Sequence, residues 1–174
     1  MPHNARQILI VDDNQDIRSL LKLTLVNQGY VCHAADGAEA ALKFFSERSV
    51  DLALIDIVMA GMTGLSLFKQ IRDNYPETAI IFVTSIDDME LALDTVKQGA
   101  YDYIIKSAIP DRLVETVEQA ISWRDANVER NRRLGDLQIL SENQVVTLSH
   151  NSQQYNISNQ TVRRTHCRAP EDTT

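Results

Sequence analysis

The sequence predicts a doubly wound α/β fold, with five parallel strands and five helices, on three observations. Short apolar runs alternate with helix-period patterns at intervals of about twenty-five residues or less, the mark of βα units. Glycines and capping residues punctuate those intervals. No internal repeat breaks the series. The strands expected are Gln7–Val11, Tyr30–Ala34, Asp51–Asp56, Ala79–Val83 and Tyr101–Ile105. The first helix is striped by Ile17, Leu20, Leu21 and Leu25, and the second by Ala38, Ala41, Leu42 and Phe45. Leu65, Phe68 and Ile71 stripe the third, and Met89, Ala92, Leu93 and Val96 the fourth. Leu113, Val114, Val117 and Ile121 stripe the fifth, each set at i, i+3 and i+4 spacing. Gly29 and Gly99 stand where helix C-caps belong. Asp13 or Asn14, Asp36, Thr63, Asp87, and Pro110 with Asp111 stand near helix starts.

Composition bounds the rest. The chain has 174 residues, 44% of them hydrophobic and 24% charged, which is ordinary for a globular protein. That length holds one well-buried domain and an appendage. No run of about 18 apolar residues suggests a membrane span. Met1 to Gln7 is polar and runs into a strand, unlike a secretory signal. Two distant cysteines, Cys32 and Cys167, make neither a disulfide framework nor a zinc site, and Cys32 is expected as a buried strand thiol. This usage fits a cytoplasmic protein. The net charge of −7 is uneven: residues 1–120 carry 10 basic and 18 acidic side chains, and residues 121–174 carry 7 and 6. The acidic first part argues against a broad nucleic-acid surface there.

In doubly wound sheets, sites form beyond the carboxyl ends of the strands. Asp12 and Asp13 follow the first strand, Asp56 the third, Thr84 and Ser85 the fourth, and Lys106 the fifth. If these strands are neighbours, three carboxylates crowd one mouth and repel one another. A divalent cation resolves that conflict, and magnesium suits two or three carboxylates, a carbonyl and water. Lys106 and the Thr84 hydroxyl then complete a pocket for a tetrahedral anion, with Asp56 as nucleophile for phosphoryl transfer. Each residue also has a plain structural role open to it: Asp12 and Asp13 as helix caps, Asp56 as an acceptor of loop amides, Thr84 as a cap and Lys106 as a solvated lysine. Four separate strand ends with compatible groups favour the joint reading.

VDDN at 11–14, DIVMAGMTG at 56–64, VTS at 83–85 and GAYDYIIKS at 99–107, with Leu113 opening the last helix, resemble the receiver domain of two-component response regulators. The resemblance covers about residues 5–122, the size of one domain. It implies a flavodoxin-like strand order 2-1-3-4-5 and a switch phosphorylated on Asp56 by a sensor histidine kinase with Mg2+. It implies Asp13 as a direct metal ligand, Asp12 assisting partly through water, and the Val58 carbonyl as a further ligand. Thr84 and Lys106 contact the phosphoryl group, and Tyr103 is the aromatic that follows Thr84. Phosphorylation then alters the face of fourth helix, fifth strand and fifth helix, toward a downstream protein, an output domain or a second copy of the chain. No enzymatic turnover is implied beyond self-phosphorylation from a phosphodonor and slow self-dephosphorylation. Val58 and Ile86 flank the path of attacking water, and being apolar they imply a long-lived phosphoform. Two departures stand out: Ala60 and Ser107 occupy positions where the family usually has proline. The proline after the lysine is normally joined by a cis bond, which costs about 2.5–4 kcal/mol before any other residue. The aim of Lys106 is therefore not carried over by the motif alone.

The expected division is a receiver over 1–122, a helical linker over 123–140 and a polar tail over 141–174. Glu129 and Arg133 are spaced for an i,i+4 pair, with a break expected at Gly135. The tail holds 17 Ser, Thr, Asn or Gln among 34 residues, a composition that leans to disorder. Within it, 148–164 resembles a helix-turn-helix core, with Arg163, Arg164 and Arg168 facing DNA phosphates. Asn151 and Thr165 stand where that motif wants apolar residues. The alternative function is thus a DNA-binding transcriptional regulator acting through the tail. A magnesium hydrolase with an aspartyl nucleophile fits less well, because Val58 leaves no general acid two residues on. A flavin carrier also fits poorly, because DDNQD repels a phosphate.

Overall fold

The computed structural model describes residues 6–85 and 94–136. Its elements are β1 (Gln7–Val11), α1 (Gln15–Val26), β2 (Val31–Ala35), α2 (Ala38–Glu47), β3 (Leu52–Ile55), α3 (Gly64–Asn74), β4 (Ala79–Thr84) and β5 (Asp102–Ile105). Helical residues 94–97 belong to α4, and a single 3-10 turn over Lys106–Ala108 leads into α5, residues 109–136. The strands pair in parallel in the order β2-β1-β3-β4-β5. Both the fold class and the strand order match the expectation.

The runs LALI of β3 and AIIFVT of β4 are buried throughout, because helices cover both faces of the sheet. Successive residues point to opposite faces. Leu9, Val11, Ala53 and Ile55 pack with α2 and α3, whereas Ile8, Ile10, Leu52 and Leu54 pack with α1 and α5. Local signals end the helices as expected. Asn14 caps α1 by accepting from the Asp16 and Ile17 amides, and Thr63 caps α3 by accepting from the Ser66 amide. Asp36 does not cap α2; its N-cap is Gly37, with no side-chain bond. Gly29 (φ +88°) and Gly99 (φ +105°) take the left-handed turn that ends a helix. The helical stripes hold with exceptions. Leu20 is 43% exposed and Val96 is exposed, while Leu67, outside the expected stripe, is fully buried. Met89, Ala92, Leu93 and Asp87 lie outside the described residues. Cys32 is a buried free thiol, and burial pushes its pKa up to about 11.

One compact unit comprises Met1–Val128. A charged cluster at the amino ends of β1 and β3 fastens α5 there. Arg124, 16% exposed, meets Asp51 at 3.0 Å and Asp125 at 3.1 Å, and its Nε donates to the Glu77 carbonyl at 3.1 Å. Arg6 meets Asp125 at 2.6 Å, and Asp51 accepts the Gln7 amide at 2.8 Å. In the unit that begins at Glu129, Arg133 and Glu129 form the expected pair at 2.9 Å, on an exposed helical surface. The expected break at Gly135 is not found, since helical residues continue through it to 136. Among the described residues, no helix is long and apolar enough to cross a membrane.

Candidate functional site

Parallel pairing sets the ends of β1, β3, β4 and β5 side by side, so residues far apart in sequence meet at one edge. Val11 pairs with Ile55, Ile55 with Phe82, and Thr84 with Ile105. One step beyond these pairs stand Asp12 and Asp56, which are 1% and 4% exposed. Thr84 closes β4 and is also buried. Lys106 opens the 3-10 turn after β5, and its Nζ lies 2.8 Å from Asp12 Oδ2 and 2.8 Å from Asp56 Oδ2. No described peptide bond is cis. Across a trans bond to Ser107, then, Lys106 still reaches both carboxylates.

Asp13 stands at the exposed rim, with a carboxylate oxygen that accepts the Ala60 amide at 3.2 Å. Oxygens of Asp12, Asp13 and Asp56 lie within 4.8 Å of one another. Asp12 also steadies its own loop. Its Oδ1 accepts the Asn14 amide at 2.8 Å, and its carbonyl accepts Arg18 Nη1 at 2.7 Å.

Electrostatics separate this cluster from an ordinary capped loop. Burial pushes the Asp56 carboxyl above the usual carboxylate range; the Lys106 hydrogen bond and charge pull it down, and Asp12 adds to the rise. Burial also opposes the charged form of Lys106, but the carboxylates of Asp12 and Asp56 outweigh it and raise its pKa. Three carboxylates facing one ammonium leave two negative charges unmatched, the charge of one divalent cation. Asp12 Oδ2 is buried and meets Lys106 as an ion pair without hydrogen-bond alignment, so it retains acceptor capacity. An all-oxygen donor set with this charge fits a hard metal ion.

Val58 is 57% exposed at the rim, and its amide donates to Asp56 Oδ1 at 3.3 Å. Tyr103 is half-buried on β5, opposite Phe82, against the core shared with α2 and α3. Ile86, Arg163, Arg164 and Arg168 lie outside the described residues. Sequence reasoning gave no role to Gly64. A Cβ there would overlap the Asp56 carbonyl oxygen, so only glycine lets α3 start this close to the loop. The signal is present in the DIVMAGMTG run, but a lone glycine does not say what approaches it. Arg18 and the Ala60 amide were also missed.

A family model described as "Response regulator receiver domain" matches residues 8–118. The DNA-binding transcriptional regulator NtrC of Salmonella typhimurium is 36% identical over 71% of the chain and 27% of its own length. A putative NtrX-like response regulator of Rickettsia bellii is 30% identical over 84% of the chain and 32% of its own length. The chain thus spans about a third or less of these curated relatives. Among solved structures, the response regulator TrrA of Thermotoga maritima, in complex with Mg(2+)-BeF, is 36% identical with a TM-score of 0.61. It covers 66% of this chain and 98% of its own. NtrX of Brucella abortus, in complex with ADP, is 32% identical with a TM-score of 0.70, covering 73% of this chain and 29% of its own.

Proposed function

The chain belongs to the response regulator receiver family of two-component signalling proteins, and from that premise we propose that it is phosphorylated on Asp56 with magnesium bound beside it. The observation that carries this reading is the buried Asp56 carboxylate, held by Lys106 between two further acids at the carboxyl edge of the sheet. Asp13, Asp56 and the Val58 carbonyl would hold the ion, and Asp12 would assist. When bound, magnesium supplies charge neutralisation for the transferred phosphoryl group. An Asp56 oxygen attacks phosphorus in line, the bond to the donor's imidazole nitrogen breaks, and that nitrogen keeps the electron pair. Lys106 Nζ and the Thr84 hydroxyl donate to phosphoryl oxygens as charge gathers on them.

The donor is a sensor histidine kinase and the setting cytoplasmic. The receiver spans 1–122 and residues 123–140 connect it to the polar tail over 141–174; the chain has no turnover beyond gaining and losing its own phosphate. Thr84 is drawn toward the phosphate, Tyr103 moves with it, and the surface of α4, β5 and α5 changes toward an output partner or a second copy. Transcription is the output class that the NtrC relatives favour, and DNA contact through Arg163, Arg164 and Arg168 is the second reading. Intact mass after incubation with magnesium and acetyl phosphate tests the assignment. Wild type gains one phosphoryl group and Asp56→Asn gains none; equal labelling of both would sink it.

A further inference from the structure

Two of the three carboxylates are held by Lys106, but the third is held by the loop after β3. Asp13 is exposed, and among the described residues its carboxylate is bonded by the Ala60 amide, 47 positions away in sequence, at 3.2 Å. Ala60 sits in the loop between Asp56 and Thr63, which also carries the Val58 amide bonded to Asp56. We infer that the Ala60 N–H is a positioning group for Asp13: it fixes where the third carboxylate stands and ties cation binding to the loop after β3. This rests on the magnesium reading above.

The physical argument is one of freedom and polarity. An exposed aspartate samples several rotamers and must give them up to coordinate an ion. A backbone donor on one carboxylate oxygen restricts it beforehand and leaves the other oxygen for the metal, the usual arrangement of metal-ligating carboxylates. The donor depends on the residue type, because proline at 60 has no N–H.

The test is magnesium affinity of the full chain by titration calorimetry, for wild type, Ala60→Pro and Ala60→Gly. Loss of one net hydrogen bond predicts binding weakened about threefold to tenfold in Ala60→Pro. Ala60→Gly, which keeps the N–H, should stay within about twofold. Unchanged or tighter binding by Ala60→Pro overturns the inference while leaving the receiver reading intact. A wild type that binds no magnesium overturns both. A second measurement guards against a misfolded proline variant: hydrogen exchange of the Ala60 amide, without metal, in wild type and Asp13→Ala. Removing the acceptor should speed that exchange severalfold, and equal exchange counts against the bond itself.

Discussion

Burial, and to a lesser degree the Asp12 charge, opposes ionisation of Asp56, and Lys106 only partly offsets them. The sign of the consequence comes from linkage. A carboxyl whose folded pKa is raised stabilises the fold below its unfolded pKa and loses that contribution as pH rises through the folded value. At neutral pH without metal, ionised Asp56 therefore weakens the fold. Asp56→Asn should raise unfolding stability by about 1 kcal/mol, the size of an ordinary single-residue effect. The gap should shrink toward pH 4 and on adding magnesium; urea titrations read it, and a less stable Asn variant at neutral pH contradicts it. Val58 bears on the lifetime of the proposed phosphoform through what its side chain lacks. It stands exposed at the rim and cannot hydrogen-bond an attacking water. Replacing Val58 with Asn and Ile86 with Glu restores two orienting groups, each worth about 1 kcal/mol, and should shorten phosphate lifetime about tenfold. Phosphate release after removal of the donor measures it, and an equal lifetime in the double mutant removes both residues from the account.

Among the elements, α5 reaches beyond its apolar stripe. Arg124 holds it to Asp51 and the Glu77 carbonyl, and Asp125 holds it to Arg6. Exposed ion pairs contribute about 0–1 kcal/mol, and breaking buried ones costs about 3–5. Arg124 is mostly buried and Asp125 is half-exposed, so Arg124→Met should cost about 2 kcal/mol and Asp125→Ala less. The two losses should not add, since the residues share a contact; strict additivity in denaturant melts would mean no network. None of this was legible in sequence, where Arg124 reads as a solvated helix arginine because its partners lie in other elements. The strands were legible, because burial on both faces demands unbroken apolar runs. Helix faces were less so. Adjacent residues diverge by about 100° around a helix axis, so Leu20 and Leu21 cannot both face the sheet, and Leu21 is the one buried. At the site, carboxylates and lysine announce themselves at strand ends. The Ala60 amide does not, because every residue but proline carries one.

Over the whole molecule, the sheet has two working edges. Acidic chemistry gathers at the carboxyl edge, where Lys106 leads directly into α5. The amino edge carries the charged cluster that grips the same helix at Arg124. Parallel strand direction was readable because alternating βα units return the chain to the same edge, whereas the order of the strands came from the family resemblance. The division of labour between edges was not, because it depends on contacts that sequence spacing does not encode. A beryllofluoride complex should show where the helix yields: amide shifts largest over 109–113, smallest near 121–125, and rising again toward 128. A uniform change along 109–128 would mean that the helix slides as a piece. If phosphorylation displaces Lys106, the grip at Arg124 would make the first half of α5 a lever. A rod pinned near one point and pushed at its far end turns about the pin. A step at Lys106 would then be felt along 109–121 as a turn about Arg124 rather than as a shift of the whole helix.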